Sequence, residues 1–259
     1  MAKPTNMKQQ FFFLSAFLFA SFSHAQLVNI ESKRMQTDSI RFVLRGDFSF
    51  SYDNYDGDYI YRIGSSLSTQ VKSKDLKKIY FLLGNYNLIR SEAQDFQNTW
   101  FLHLRYNHKL SNLFRFEAFV QSQNNQLLAI NSRNLVGAGL RFKLISKDPI
   151  RLYIGNAYMY EEEKSDAFYT KEYNHRNSTY LTISATVAES NVSITNTFYF
   201  QPLYKDFSDY RILEQLKIDV PLSNVLNLYT LFDYYHDNIT PSGESQFSSN
   251  ISIGLGIKL

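Results

Sequence analysis

His236 lies three residues after Asp233 and one before Asp237. A histidine beside a carboxylate is the pairing that activates a serine in acyl-transfer enzymes. Serines are near, but no G-x-S-x-G elbow singles one out. The plainer reading is a loop histidine without a chemical role, and the same holds for His103, His108 and His175. No catalytic set is assigned. Glu161, Glu162 and Glu163 with Asp166 form a second grouping, able to bind calcium or to bridge to lipopolysaccharide through divalent cations. A solvated outer loop explains them as simply. Asp53 to Asp58 resembles a calcium loop only loosely. With Gly57 as the loop glycine, Tyr52 stands where the first ligand belongs and Ile63 where the closing Glu belongs. Asp56-Gly57 reads better as a hairpin turn. No metal site and no cofactor is assigned.

The third grouping is spread along the whole chain. Arg45, Asp47, Arg62, Arg105, Arg115, Glu117, Arg133, Arg141, Lys143, Lys217, Asp219, Asp233 and Lys258 all occupy the polar positions of alternating segments. If those positions line a water-filled lumen, its basic balance favours anions. If the charges pair across strands, they plug it. The sequence leaves both open.

The elements that would position these charges alternate with period two, the side-chain period of a β-strand. Ile251, Ile253, Leu255, Ile257 and Leu259 alternate with Asn250, Ser252, Gly254, Gly256 and Lys258. The pattern starts with Phe42, Leu44, Gly46, Phe48 and Phe50 against Val43, Arg45, Asp47 and Ser49. A last strand with an uncovered edge invites aggregation unless the first strand pairs with it. Between them the alternation recurs often enough for about twelve strands. Phe81 and Leu83 blur one segment, and Asn156 interrupts another. Connections after even strands are short. Those after odd strands are mostly longer, and the longest is read as Glu161–Asn177. Ser122–Asn134 is a further polar stretch read as a connection.

Lys3 and Lys8 precede the apolar run Phe11–Phe22, and Ser23-His24-Ala25 follows. A basic start, an apolar core of about 12 residues and an A-x-A-like site make a secretory signal peptide. The expected division is therefore a signal peptide over residues 1–25, a short periplasmic leader over 26–40 and a barrel over 41–259. The chain has no cysteine, so no disulfide framework holds it. A net charge of +3 with both signs abundant gives no reason to expect nucleic acid.

A soluble β-sandwich alternates too. Small residues opposite the apolar positions (Ser49, Ser66, Ser184, Gly254, Gly256) suit the inside of a barrel instead, and rings such as Tyr158, Tyr160 and Tyr234 gather toward strand ends. Such rings favour the membrane–water boundary. The fold class expected is all-β: a transmembrane antiparallel barrel with both termini periplasmic, in the outer membrane of a Gram-negative bacterium.

Leu110–Gln121 (L-S-N-L-F-R-F-E-A-F-V-Q) and Arg133–Phe142 (R-N-L-V-G-A-G-L-R-F) resemble the repeated hairpins of the salt-induced outer-membrane protein family. The likeness extends loosely over Phe42 to Leu259. It implies an outer-membrane barrel without an assigned activity, and no catalytic residues carry over. Barrels of this kind usually end in an aromatic residue, whereas this sequence ends in Leu259. The partners implied are outer-membrane lipid, lipopolysaccharide and the barrel-insertion machinery. Three functions remain: a narrow pore for small solutes, an envelope or stress-response barrel, and an outer-membrane enzyme acting on lipid.

Overall fold

Alternating strands can bury one face without a second layer only by curling that face inward and closing on themselves. The computed structural model describes residues 40–55, 58–91, 97–126, 130–147, 149–165, 169–239 and 246–258. The expected signal peptide and nearly all of the expected leader lie outside the described residues, as do Asp56, Gly57 and Asp166. Twelve antiparallel strands form a closed barrel. They are β1 (Phe42–Tyr55), β2 (Asp58–Lys72), β3 (Lys78–Ser91), β4 (Gln97–Lys109), β5 (Phe114–Asn125), β6 (Ile130–Lys147), β7 (Ile150–Ser165), β8 (Thr170–Thr186), β9 (Ser193–Pro202), β10 (Tyr210–Pro221), β11 (Leu226–Asp237) and β12 (Gln246–Lys258). Each pairs with its sequence neighbours, and β1 closes on β12 through Arg45↔Lys258 to Ser49↔Gly254. The described chain enters and leaves the barrel at one end, here the terminus end. The other is the loop end.

The two faces differ in chemistry. Phe48, Phe50, Leu67, Leu102 and Ile251 stand outward and are each at least half exposed. Contiguous exposed apolar surface on that scale belongs against lipid, not water. Aromatic rings meet on the outside near both ends. Tyr80 packs on Tyr106 and Phe114 on Phe142 toward the terminus end; Tyr158 packs on Tyr204 and Phe200 on Tyr210 toward the loop end. These are the two interfacial girdles of a transmembrane barrel.

Phe81 and Leu83 blur their segment because they point inward, where they pack against Phe101. Asn156 faces outward, donating to Asn177 and Thr179 on β8. The largest departure from the sequence reading concerns two expected connections. Glu161–Asn177 is almost wholly strand, since β7 runs to Ser165 and β8 starts at Thr170. Ser122–Asn134 is likewise mostly the paired ends of β5 and β6. On the terminus side, Asp75 organises the β2–β3 turn. Its carboxylate accepts from the Ser73 hydroxyl and the Lys77 amide, and these hold its pKa below the ordinary value.

Candidate functional site

The inner faces of the strands carry the chain's buried charge. Asp47, Arg105, Glu117, Arg133, Arg141, Lys217 and Asp233 point into the barrel and are each at most 5% exposed. Arg45, Arg62, Arg115, Lys143 and Asp219 are half-buried on the same faces. Lys258 is opposite Arg45 in register, but its side chain is exposed at the terminus end. Among the described residues, seven buried Lys and Arg side chains face six buried carboxylates. Charges so nearly balanced pair with one another, and they do so in three layers.

The layer nearest the terminus end backs the closure. Arg45 reaches Asp47 at 2.8 Å and Asp219 on β10 at 2.7 Å, passing behind β12 and β11. Lys217 Nζ lies 2.9 Å from Asp219, and Asn227 donates to the same carboxylate at 2.5 Å. Gly256 makes this approach possible. A Cβ there would lie 2.6 Å from both Asp47 Oδ1 and Asn227 Oδ1.

The middle layer crosses from β5 to β8. The Tyr180 hydroxyl donates to Glu117 at 2.7 Å, and Arg105 lies 3.4 Å from the same carboxylate. The Tyr180 ring fits because residue 155 on β7 is glycine, where a Cβ would sit 2.2 Å from it. Arg141 stacks over the Tyr153 ring at 4.0 Å. His103 is fully buried between Phe101 and Phe119. Arg105 Nε donates to its Nε2 at 3.3 Å, so the proton is assigned to Nδ1, which donates to Gln121 Oε1 at 3.1 Å.

The layer nearest the loop end centres on Glu161, which has no exposed surface. Arg133 donates twice to its Oε2, at 2.6 and 3.0 Å. Arg176 and Arg211 each donate to its Oε1 at 2.9 Å. Arg211 also contacts Glu163 at 3.1 Å and Asp237 at 2.7 Å, and Arg176 contacts Asp209 at 2.9 Å. The Tyr235 hydroxyl donates to Asp237 Oδ2 at 2.9 Å, the oxygen that Arg211 also reaches. Three guanidinium groups on one carboxylate are a dense charge-assisted network.

Between the middle layer and the layer nearest the loop end lies a chamber of about 40 Å³, room for about three waters. His103, Arg105, Gln121 and Arg133 form its polar wall; Phe119, Leu135, Met159 and Leu213 form its apolar wall. Leu135, Met159, Ser178 and Leu213 each stand one inward step below Arg133, Glu161, Arg176 and Arg211. The Glu161 network is therefore the chamber's lid toward the loop end.

The first two sequence groupings come apart. His236 faces outward against Tyr210, while Asp233 and Asp237 point inward from the same strand. Glu161 and Glu163 are buried inside and paired with arginines, so they are no solvated loop, and Glu162 faces outward against Lys171. Among the described residues, no group of His and acidic side chains is arranged to hold a metal ion. The reading of the sequence missed Glu161, Glu163, Arg176 and Asp237 as lumen residues. The signal was there in the unbroken parity from Ala157 through Met159, which continues the inner face of β7 to Glu163.

The fold resembles solved barrels that differ widely in sequence. The NanC porin superposes with a TM-score of 0.50 at 9% identity, over 84% of this chain and all of that one. The KdgM porin in complex with disordered oligogalacturonate gives 0.47 at 12% identity, over 83% and 98%. The translocator domain of the autotransporter NalP from Neisseria meningitidis gives 0.46 at 12% identity, over 87% and 91%. At 9% identity the NanC likeness speaks for the fold alone. No curated protein matches the chain by sequence. The match that extends over most of the chain is to a family, at residues 61–259. This barrel belongs to the family described as "Protein of unknown function, DUF481".

Proposed function

We propose that this protein sits in the outer membrane of a Gram-negative bacterium as a narrow pore for small solutes, closed at rest. The observation that carries this reading is the chamber and its cover: a polar space inside a closed barrel, overlain toward the loop end by Arg133, Arg176 and Arg211 on Glu161. A barrel built only as a membrane scaffold needs no polar chamber. The outward apolar belt and the even strand count support the membrane. The signal-peptide pattern supports export, and the short turns beside the chain termini favour the periplasm for that end. The likeness of the β5–β6 hairpin to the salt-induced outer-membrane proteins fits the same picture. Outer-membrane lipid and lipopolysaccharide are then the neighbours of the belt, and the insertion machinery reads the last strand. The lipid-enzyme alternative loses its best candidate, because His236 and its two aspartates are on opposite faces of β11.

Recording from the purified protein in planar bilayers tests the reading. The expected record is long silence broken by brief, small openings. Steady conductance at every voltage would overturn the closed resting state. Complete silence from protein that still migrates as a folded barrel would overturn the pore.

A further inference from the structure

We infer that Glu161 is a tethered anion that closes the lumen, and that small free anions take its place when the lumen conducts. The inference rests on the pore reading above and names its solute class. Glu161 is held as a bound anion would be: four guanidinium N–H groups converge on its two oxygens at 2.6 to 3.0 Å, from three strands. Each arginine keeps a second carboxylate. Arg133 lies 3.5 Å from Glu163, Arg176 has Asp209, and Arg211 has Asp237. Withdrawing Glu161 therefore does not scatter the cluster. It leaves three oriented guanidinium groups with spare donors directly above the chamber.

The chamber continues the same chemistry. Arg133 lines both the lid and the chamber, and Arg105 with His103 forms the wall beneath. No carboxylate is among the residues that line it. A space with room for about three waters suits an ion of chloride, nitrate or formate size with one or two waters beside it. A small cation entering there would meet guanidinium groups without a carboxylate in contact. An anion would exchange Glu161 for itself at the lid and step to Arg105 below.

The test is reversal potential under a potassium chloride gradient, measured on wild type, Glu161→Ala and Glu161→Gln. Wild-type openings are expected to reverse toward the chloride potential. Both variants should raise open probability by at least about tenfold while keeping that preference, the size expected when one coupling contact is lost. Adding Arg105→Ala should weaken the anion preference. Openings that reverse toward the potassium potential, in wild type or variants, would overturn the inference and leave the pore standing. Variants that fold, as judged by heat-dependent gel migration, but open no more often than wild type would remove Glu161 as the gate. No openings from any folded form would instead sink the pore reading itself. Because wild-type openings report selectivity alone, the solute class is decided even if a variant fails to fold.

Discussion

Glu214 is where a residue's chemistry disagrees most with its place. Counting by two from Ile212 puts this carboxylate on the lipid side, and a bulge near Leu213 would turn it inward. The register of β10 is unbroken against both neighbours, so no bulge intervenes. Glu214 stays outward, flanked in register by Phe198 and Tyr234, and accepts from Asn196 Nδ2 at 3.1 Å. Two polar side chains on an apolar wall satisfy each other, which lowers the cost of either alone. Near the interface a carboxylate costs little. Glu214→Leu should therefore change the stability of the folded barrel by no more than about 1 kcal/mol, because a leucine against lipid offsets the lost hydrogen bond. Glu214→Leu with Asn196→Leu should be more stable than either single variant. Reversible denaturant unfolding in lipid checks both, and a loss of several kcal/mol in the single variant would place Glu214 in a role that the hydrogen bond does not explain.

At the scale of the strand, legibility in the sequence follows the membrane. Where a strand crosses lipid, one face is apolar and the other polar, and period two is visible. Phe48 against Asp47 and Leu104 against Arg105 are examples, and the strand count and inward charges were readable from such pairs. Above the lipid both faces become polar. On β7 and β8 the outward set becomes Glu162, Lys164, Lys171 and Tyr173, so the alternation vanishes although the strands continue. That is why Glu161–Asn177 read as a loop, and why the lid residues within it were missed. The same cause sets an expectation for the hairpin. The chain has no cysteine, so single cysteines report cleanly. Lys171→Cys and Tyr173→Cys should react with a charged, water-soluble thiol reagent, while Ile183→Cys, outward on the same strand, should react only with a lipid-soluble one. Equal labelling at all three sites would place the whole of β8 in water.

For the molecule as a whole, the weak point is the closure. The β1–β12 register runs only from Arg45↔Lys258 to Ser49↔Gly254, whereas β1–β2 runs from Phe42↔Val71 to Tyr55↔Asp58. Few backbone hydrogen bonds span that seam, so the inner side must reinforce it. Arg45 does this by tying β1 to Asp219 on β10, two strands beyond the seam, in the space that Gly256 leaves. Local opening starts where an element is held by the least buried surface. Amide exchange in bilayer mimetics should therefore be fastest, among membrane-spanning residues, in β1 and β12, and slowest in the long β6–β7 pair. Gly256→Ala forces a Cβ to within 2.6 Å of Asp47 and Asn227 and 2.9 Å of Arg45. The resulting overpacking should cost about 1–3 kcal/mol. It should speed exchange in β1 and β12 and leave β6–β7 nearly unchanged, because the lid and middle layers do not depend on the seam. Exchange that accelerates uniformly around the barrel would mean that the seam opens only with the whole fold, and that the Arg45–Asp219 tie is not what limits it.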